Sequence, residues 1–404
     1  MVLGTAPPTR APMPTIRRLL LAVMLLAIGL PLPLTILVRS APADWFRGSV
    51  YLLLTDNADA PIRPPLRPAA WWNGDFQRGF EPWFAAVMAP RGWIVRLTNQ
   101  LYYSAFGRSY MLGGAIVVGR EEYLYEVTYL RAYCRSTHGA GADTFASFIG
   151  KVRELQSLLA RRGRPLLFMV TPSKPVIMPE FLPAGLCDRP AAPDRLRKLF
   201  VALLQDAGIP VIDGSDMALA MKARDPLPPF PRGSVHWSRL AGGRAAGALM
   251  DEITALSGVD LGGLTLRNPR WTAAPVGTDA DLAAILNLLR PPLDYPTGEA
   301  ESICRPTVRG QSASLIAVGG SFLITALDPI GACRLFKQMD LYFYYTLGRI
   351  RWPGGREPVD RATLRWREML EQAAVTVIEI NESVIGPDVP HLEQFLDDAL
   401  AALR

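Results

Sequence analysis

The chain has 404 residues, 50% of them hydrophobic and 20% charged, with 36 prolines and 34 glycines in no collagen-like period. That length allows one large domain or two ordinary ones, and that apolar fraction excludes disorder over most of it. The net charge of +6, from 43 Lys and Arg against 37 Asp and Glu, includes no long basic stripe interleaved with aromatics, so nucleic acid is not an expected partner.

Leu19 to Val38, LLLAVMLLAIGLPLPLTILV, is an uncharged run of 20 residues, long enough to cross a bilayer as a helix. Arg17 and Arg18 precede it, which keeps 1–18 in the cytoplasm and exports the remainder. Pro31 and Pro33 are expected to kink its second half. Ala41-Pro42-Ala43 is the A-x-A pattern of a cleaved signal peptide, but the apolar run is longer than a usual signal core. An uncleaved anchor is therefore the reading taken, over a cleaved signal or a buried core helix. Residues 39–70, rich in Pro, Ala and Asp, read as a tether. The main domain then spans 71–404.

Residues 71–135 hold many aromatics, among them Trp71, Trp72, Phe76, Phe80, Trp83, Phe84, Trp93, Tyr102 and Tyr103. Such a cluster suits a carbohydrate platform or a helix core, and helix core is the ordinary meaning of these spacings. Gly113 to Tyr125 reads as strand, turn and strand. The four cysteines, Cys134, Cys187, Cys304 and Cys333, allow three pairings, and no C-x-x-C points to a redox or zinc motif.

From about residue 143 helices and strands alternate. Asp143 is placed to cap a helix with Phe145, Phe148, Ile149, Val152, Leu155 and Leu159 on its apolar face. A strand follows at Pro165–Val170 and runs into the loop Thr171 to Pro175. A helix over 194–207, a strand at Pro210–Asp213, a helix capped by Ser238, and strands at Ser314–Val318 and Val375–Ile380 complete the series. This alternation implies a parallel sheet flanked by helices, with the site at the carboxyl ends of its strands.

Two segments meet that rule. In Leu315 to Phe322, LIAVGGSF, an apolar strand enters Gly319-Gly320 and then Ser321. The serine would stand just past the strand end, with the backbone N–H groups of Gly320, Ser321 and Phe322 available to an oxyanion. Leu323 departs from the G-x-S-x-G elbow. In Gly233 to Ser238, GSVHWS, His236 lies in a loop just before a helix, a context suited to a general base. His138 and His391, the other two histidines, have weaker contexts, and three histidines are too few for a multi-histidine metal site.

These segments resemble the alginate O-acetyltransferase group, the AlgJ/AlgX-like family with its SGNH-hydrolase-like fold, from about Phe76 to Asn381. The resemblance is carried by Phe106-Gly107-Arg108-Ser109, Gly119 to Tyr125, Pro172-Ser173-Lys174 with Pro179 to Pro183, Asp213, and Pro229-Phe230 before His236-Trp237. Gly319-Gly320-Ser321-Phe322 and Glu379-Ile380-Asn381-Glu382 extend it. It implies an O-acetyltransferase that moves an acetyl group through Ser321, with His236 as base, onto hydroxyls of an exported polysaccharide. No cofactor or metal is implied. The partners implied are an exopolysaccharide acceptor and a multi-spanning membrane acyltransferase that delivers the acetyl group. The place implied is the bacterial inner membrane, single-pass, with the main domain periplasmic.

One position departs. Where the family has Asp at the start of D-x-H-W, this chain has Ser234. Either Ser234 orients His236 through its hydroxyl, or Asp213 or Asp216 reaches the ring, or the chain is a degraded enzyme that still binds polysaccharide. If the missing carboxylate is the handicap, Ser234→Asp should raise turnover. A periplasmic acetylesterase and a polysaccharide-binding scaffold are the rival functions.

Overall fold

The computed structural model describes residues 15–40, 63–89, 91–110, 113–135, 141–187, 192–386 and 390–404. Most of the expected tether, the Ala41-Pro42-Ala43 pattern and His138 lie outside these residues. The chain divides into two units, Met1–Leu101 and Tyr102–Arg404.

In the first unit the apolar run forms two helices, Thr15–Gly29 and Pro31–Ser40. They meet at an angle of 41° where Pro31 interrupts the backbone ladder. No single helix among the described residues is long and apolar enough to cross a membrane; the two pass that test only as a bent pair. The aromatic segment is helical, at Pro68–Trp72, Asp75–Val87 and Arg91–Phe106. Its rings stack in series, Trp71 on Phe76, Phe76 on Phe80, and Phe80 on Trp83 and Phe84. They are not the expected helix core throughout, because Trp71, Trp72 and Trp93 are exposed.

The second unit opens with a short antiparallel pair, β1 (Ile116–Val118) and β2 (Leu124–Glu126). Its main sheet contains β3 (Leu166–Thr171), β4 (Val211–Asp213), β7 (Ser314–Gly319), β8 (Gln338–Phe343), β9 (Gly348–Trp352), β10 (Arg356–Glu357) and β11 (Val375–Asn381). A separate ribbon pairs β5 (Gly263–Thr272) with β6 (Thr297–Arg305). The main sheet has the order β10-β9-β8-β7-β11-β3-β4. From β8 to β4 every neighbour is parallel. The expected all-parallel sheet is thus corrected to a mixed one, since β9 returns antiparallel to β8 through a tight turn and β10 follows antiparallel to β9.

Both faces of the sheet are covered, which is why its strands read as apolar runs rather than alternations. Leu167, Met169, Leu315, Ala317 and Val377 face the helices Arg239–Ser257 and Ser321–Ala332. Leu166, Phe168, Val170, Ile316 and Ile378 face Asp143–Ala160, Arg195–Asp206 and Pro390–Leu403. Ser238 caps its helix, its Oγ accepting from Ala241 N at 3.1 Å. Asp143 is the first helical residue, not the expected cap, since Ala142 holds that position. The disulfides are Cys134–Cys187 and Cys304–Cys333.

Candidate active site

The five parallel strands deliver their following loops to one edge of the sheet. Ser321 comes from the loop after β7 and begins the helix Ser321–Ala332, with Gly320 at the cap position. Both glycines before it are required by close approach. A Cβ on Gly319 would stand 2.6 Å from Glu379 Oε2, and one on Gly320 would stand 3.1 Å from the Tyr344 hydroxyl. His236 arrives from a loop held at several points. The Lys174 ammonium, fully buried, donates to the carbonyls of Leu124, Pro231, Arg232 and Ser234 at 2.7–2.9 Å. Burial pushes the Lys174 pKa well down, while the carbonyl cage and the rings of Tyr123 and Tyr125 face its charge. On the other side Trp237 Nε1 donates to Phe322 O and to Thr325 Oγ1 of the serine's own helix.

The fold brings together the two residues that the sequence singles out as base and nucleophile. His236 Nε2 lies 2.7 Å from Ser321 Oγ, across 85 positions of chain. The other ring nitrogen, Nδ1, bonds to the carboxylate of Asp281. Asp281 Oδ1 also accepts from Val235 N at 2.9 Å and Leu282 N at 2.6 Å, so the carboxylate is held by backbone as well as imidazole. Phe322 packs its ring on the imidazole, with centroids 4.7 Å apart.

Ser234 does not orient the ring. It is fully buried, donates its hydroxyl to the Thr278 carbonyl, and accepts from His236 N at 2.8 Å. It therefore pins the histidine turn to the segment that carries Asp281. Nor does Asp213 or Asp216 reach the imidazole. Asp213 caps the helix Gly214–Arg224 through Ser215 N and Asp216 N, and both carboxylates pair with buried Arg197. No motif in the sequence singles out Asp281. Its one local signal is Gly277-Thr278-Asp279-Ala280-Asp281, an acidic turn between apolar stretches, and nothing in that turn says which carboxylate faces a histidine.

The expected oxyanion donors separate as well. Gly320 N–H is committed to Glu379 Oε2 at 2.6 Å and is not free for a substrate oxygen. Burial pushes the Glu379 carboxyl up, against the Thr171 and Gly320 hydrogen bonds that pull it down. Ser321 and Phe322 stand in the first helical turn, where N–H groups have no intrahelical partner. The Tyr344 phenol stands beside Ser321; burial raises its pKa, and its interaction with Ser321 opposes the rise. Tyr344 and Tyr345 both hold positive φ, at 42° and 66°, in the turn after β8. Buried Tyr345 anchors that strained pair through Asp398 and Trp366.

Ser321, His236, Asp281 and Tyr344 line a cavity of about 520 Å³ with Glu126, Tyr129, Arg135, Leu282, Ile285 and Val384. Among the described residues no group of three or more His, Cys, Asp or Glu is disposed to hold a metal ion.

The family model for the SGNH hydrolase-like domain of the acetyltransferase AlgX matches residues 116–309, a span that includes His236 and Asp281 and ends before Ser321. No curated protein matches the chain. Among solved structures, the chain is similar to the O-acetyltransferase domain of AlgJ from Pseudomonas putida, with 19% identity over 70% of this chain and 99% of that one and a TM-score of 0.44. AlgX from Pseudomonas aeruginosa shares 16% identity over 72% and 68%, with a TM-score of 0.45. PatB1 from Bacillus cereus shares 10% over 68% and 98%, with a TM-score of 0.43. Over residues 116–309 the chain thus matches the family of SGNH hydrolase-like domains of the acetyltransferase AlgX.

Proposed function

We propose that this protein is an O-acetyltransferase that passes an acetyl group through Ser321 to a hydroxyl of an exported polysaccharide. The observation that carries the reading is the chain of contacts from Asp281 to His236 Nδ1 and from Nε2 to Ser321 Oγ at a helix start. The match to an acetyltransferase family supports acyl chemistry over other uses of a serine.

In the first half-reaction His236 Nε2 takes the Ser321 proton as Oγ attacks the acetyl carbonyl. Asp281, bonded to Nδ1, fixes the tautomer and stabilises the imidazolium. The oxygen of the tetrahedral intermediate faces the N–H groups of Ser321 and Phe322, and the Tyr344 hydroxyl, in the same cavity, is a further donor to it. The intermediate collapses to acetyl-Ser321, and His236 returns the proton to the departing donor oxygen. In the second half-reaction His236 deprotonates a sugar hydroxyl, which attacks the acetyl-serine; the acetyl–Oγ bond breaks and Ser321 recovers its proton. The cavity is large enough to seat a sugar ring against Tyr129, Leu282 and Ile285.

Placement follows the same reading. Residues 1–18 stay in the cytoplasm, 19–38 anchor the chain in the inner membrane, 39–70 tether it, and 71–404 work in the periplasm beside a membrane acyltransferase that supplies the acetyl group. Incubation with a chromogenic acetyl ester, quenched early and analysed by mass spectrometry, should show one acetyl group on the Ser321 peptide. Adding acceptor oligosaccharide should convert acetate release into acetyl-sugar. Labelling elsewhere would remove the serine from the reading, and acetate release unaffected by any acceptor would make the protein an esterase.

A further inference from the structure

The helix Arg91–Phe106 is built inside out. Along its first-unit stretch the exposed apolar side chains are Trp93 at 47%, Leu97 at 52% and Leu101 at 59%, spaced four apart on one face and joined by Ile94, whereas the buried residue is Asn99. A soluble helix hides such a stripe, and an uncovered one marks a binding surface.

Three observations fix what covers it. The corner between Asp75–Val87 and Arg91–Phe106 is fastened to the apolar helix pair, Ala89 N donating to Thr35 Oγ1 at 3.1 Å in a buried contact. Thr35 lies three residues before Val38, where the apolar run ends, so the corner sits about 4.5 Å, or one turn, from that end. The surrounding residues suit the same level. Trp71, Trp72, Trp83 and Trp93 belong to this stretch, and residues 63–101 hold five arginines against two acidic residues. Tryptophan rings and arginines together are the composition of a helix lying at an anionic lipid surface.

We infer that the face Trp93, Ile94, Leu97 and Leu101 lies in the interfacial layer of an anionic phospholipid bilayer, so that the protein rests on the membrane by a second contact beside its anchor. This rests on the anchor proposed above. It adds a second attachment at the bilayer beside the anchor.

The test uses the full chain in vesicles of phosphatidylethanolamine and phosphatidylglycerol. All four native cysteines are paired, so Leu97→Cys, Leu101→Cys and, as reference, exposed Leu347→Cys each offer one site for a nitroxide. Flotation with the vesicles reports the anchor, and collision with oxygen and with a water-soluble nickel chelate reports the face. The expected result is flotation of all three, with the oxygen-to-nickel ratio at 97 and 101 several-fold above that at 347. Flotation with all three ratios equal would overturn the inference and leave the anchor standing. Nitroxides at 97 and 101 shielded from both reagents would assign the face to protein and overturn it too. Failure to float would remove the anchor and the inference together.

Discussion

Asp281 faces the Nδ1 of His236 from 45 residues downstream, whereas the position two residues upstream of the histidine, where the D-x-H-W motif has its aspartate, is Ser234. The carboxylate comes to the ring from a different segment, while Ser234, at the motif position, holds the two segments together through Thr278 O and His236 N.

Asp281→Asn is therefore expected to fold normally and to lower acetyl transfer by about 10²- to 10⁴-fold, because the amide favours the wrong imidazole tautomer and cannot stabilise its charged form. Initial rates with a chromogenic acetyl ester measure it. A loss below tenfold would mean that Asp281 does not orient the base.

Restoring the family residue by Ser234→Asp should not raise turnover. The site is fully buried and faces the Thr278 carbonyl, so a carboxylate there meets an acceptor, loses its solvation and stands near the Asp281 charge. The expected outcome is a lower urea midpoint and lower activity, which reverses what the sequence motif suggests. Higher turnover at undiminished stability would refute this account of Ser234.

Ser321→Ala and His236→Ala should each reduce transfer by about 10⁴-fold or more, and the double variant should be little worse, since residues acting as one unit are not additive. Thermal unfolding of Ser321→Ala should stay close to that of the parent, because one hydroxyl leaves almost no cavity. Multiplicative losses in the double variant would show that the two act separately.

Stability should fall as pH rises from about 5 to about 7. Burial pushes the Glu382 carboxyl up to about 7, against the pull of Ser173 N–H and Arg197. Between its unfolded value, near 4.3, and about 7 the folded chain binds the extra proton, so raising pH costs up to about 1.4 kcal/mol per unit across that window. Urea midpoints at several pH values should show this slope, and Glu382→Gln should flatten it. An unchanged slope in the variant would assign the pH dependence to another group.

The sequence by itself determined the elements whose signals are local. Apolar runs bounded by glycine and proline gave β3, β7 and β11, because a strand buried on both faces must be apolar throughout. The basic pair before an uncharged run identified the candidate anchor, and Gly-Gly-Ser after a strand singled out Ser321. Periodicity said less about β9 and β10: short antiparallel strands at a sheet edge carry little buried surface and leave little pattern. The site's wiring was decided only by tertiary structure. Gly320 and Ser321 are neighbours in sequence, yet the N–H of Gly320 is taken by Glu379 from β11, 59 positions away. Several carboxylates could have served His236, and a hydrogen bond depends on where two backbones are brought, not on their spacing in the chain. Asp213 and Asp216 are turned to buried Arg197, and Asp281 alone of the three is delivered to the imidazole.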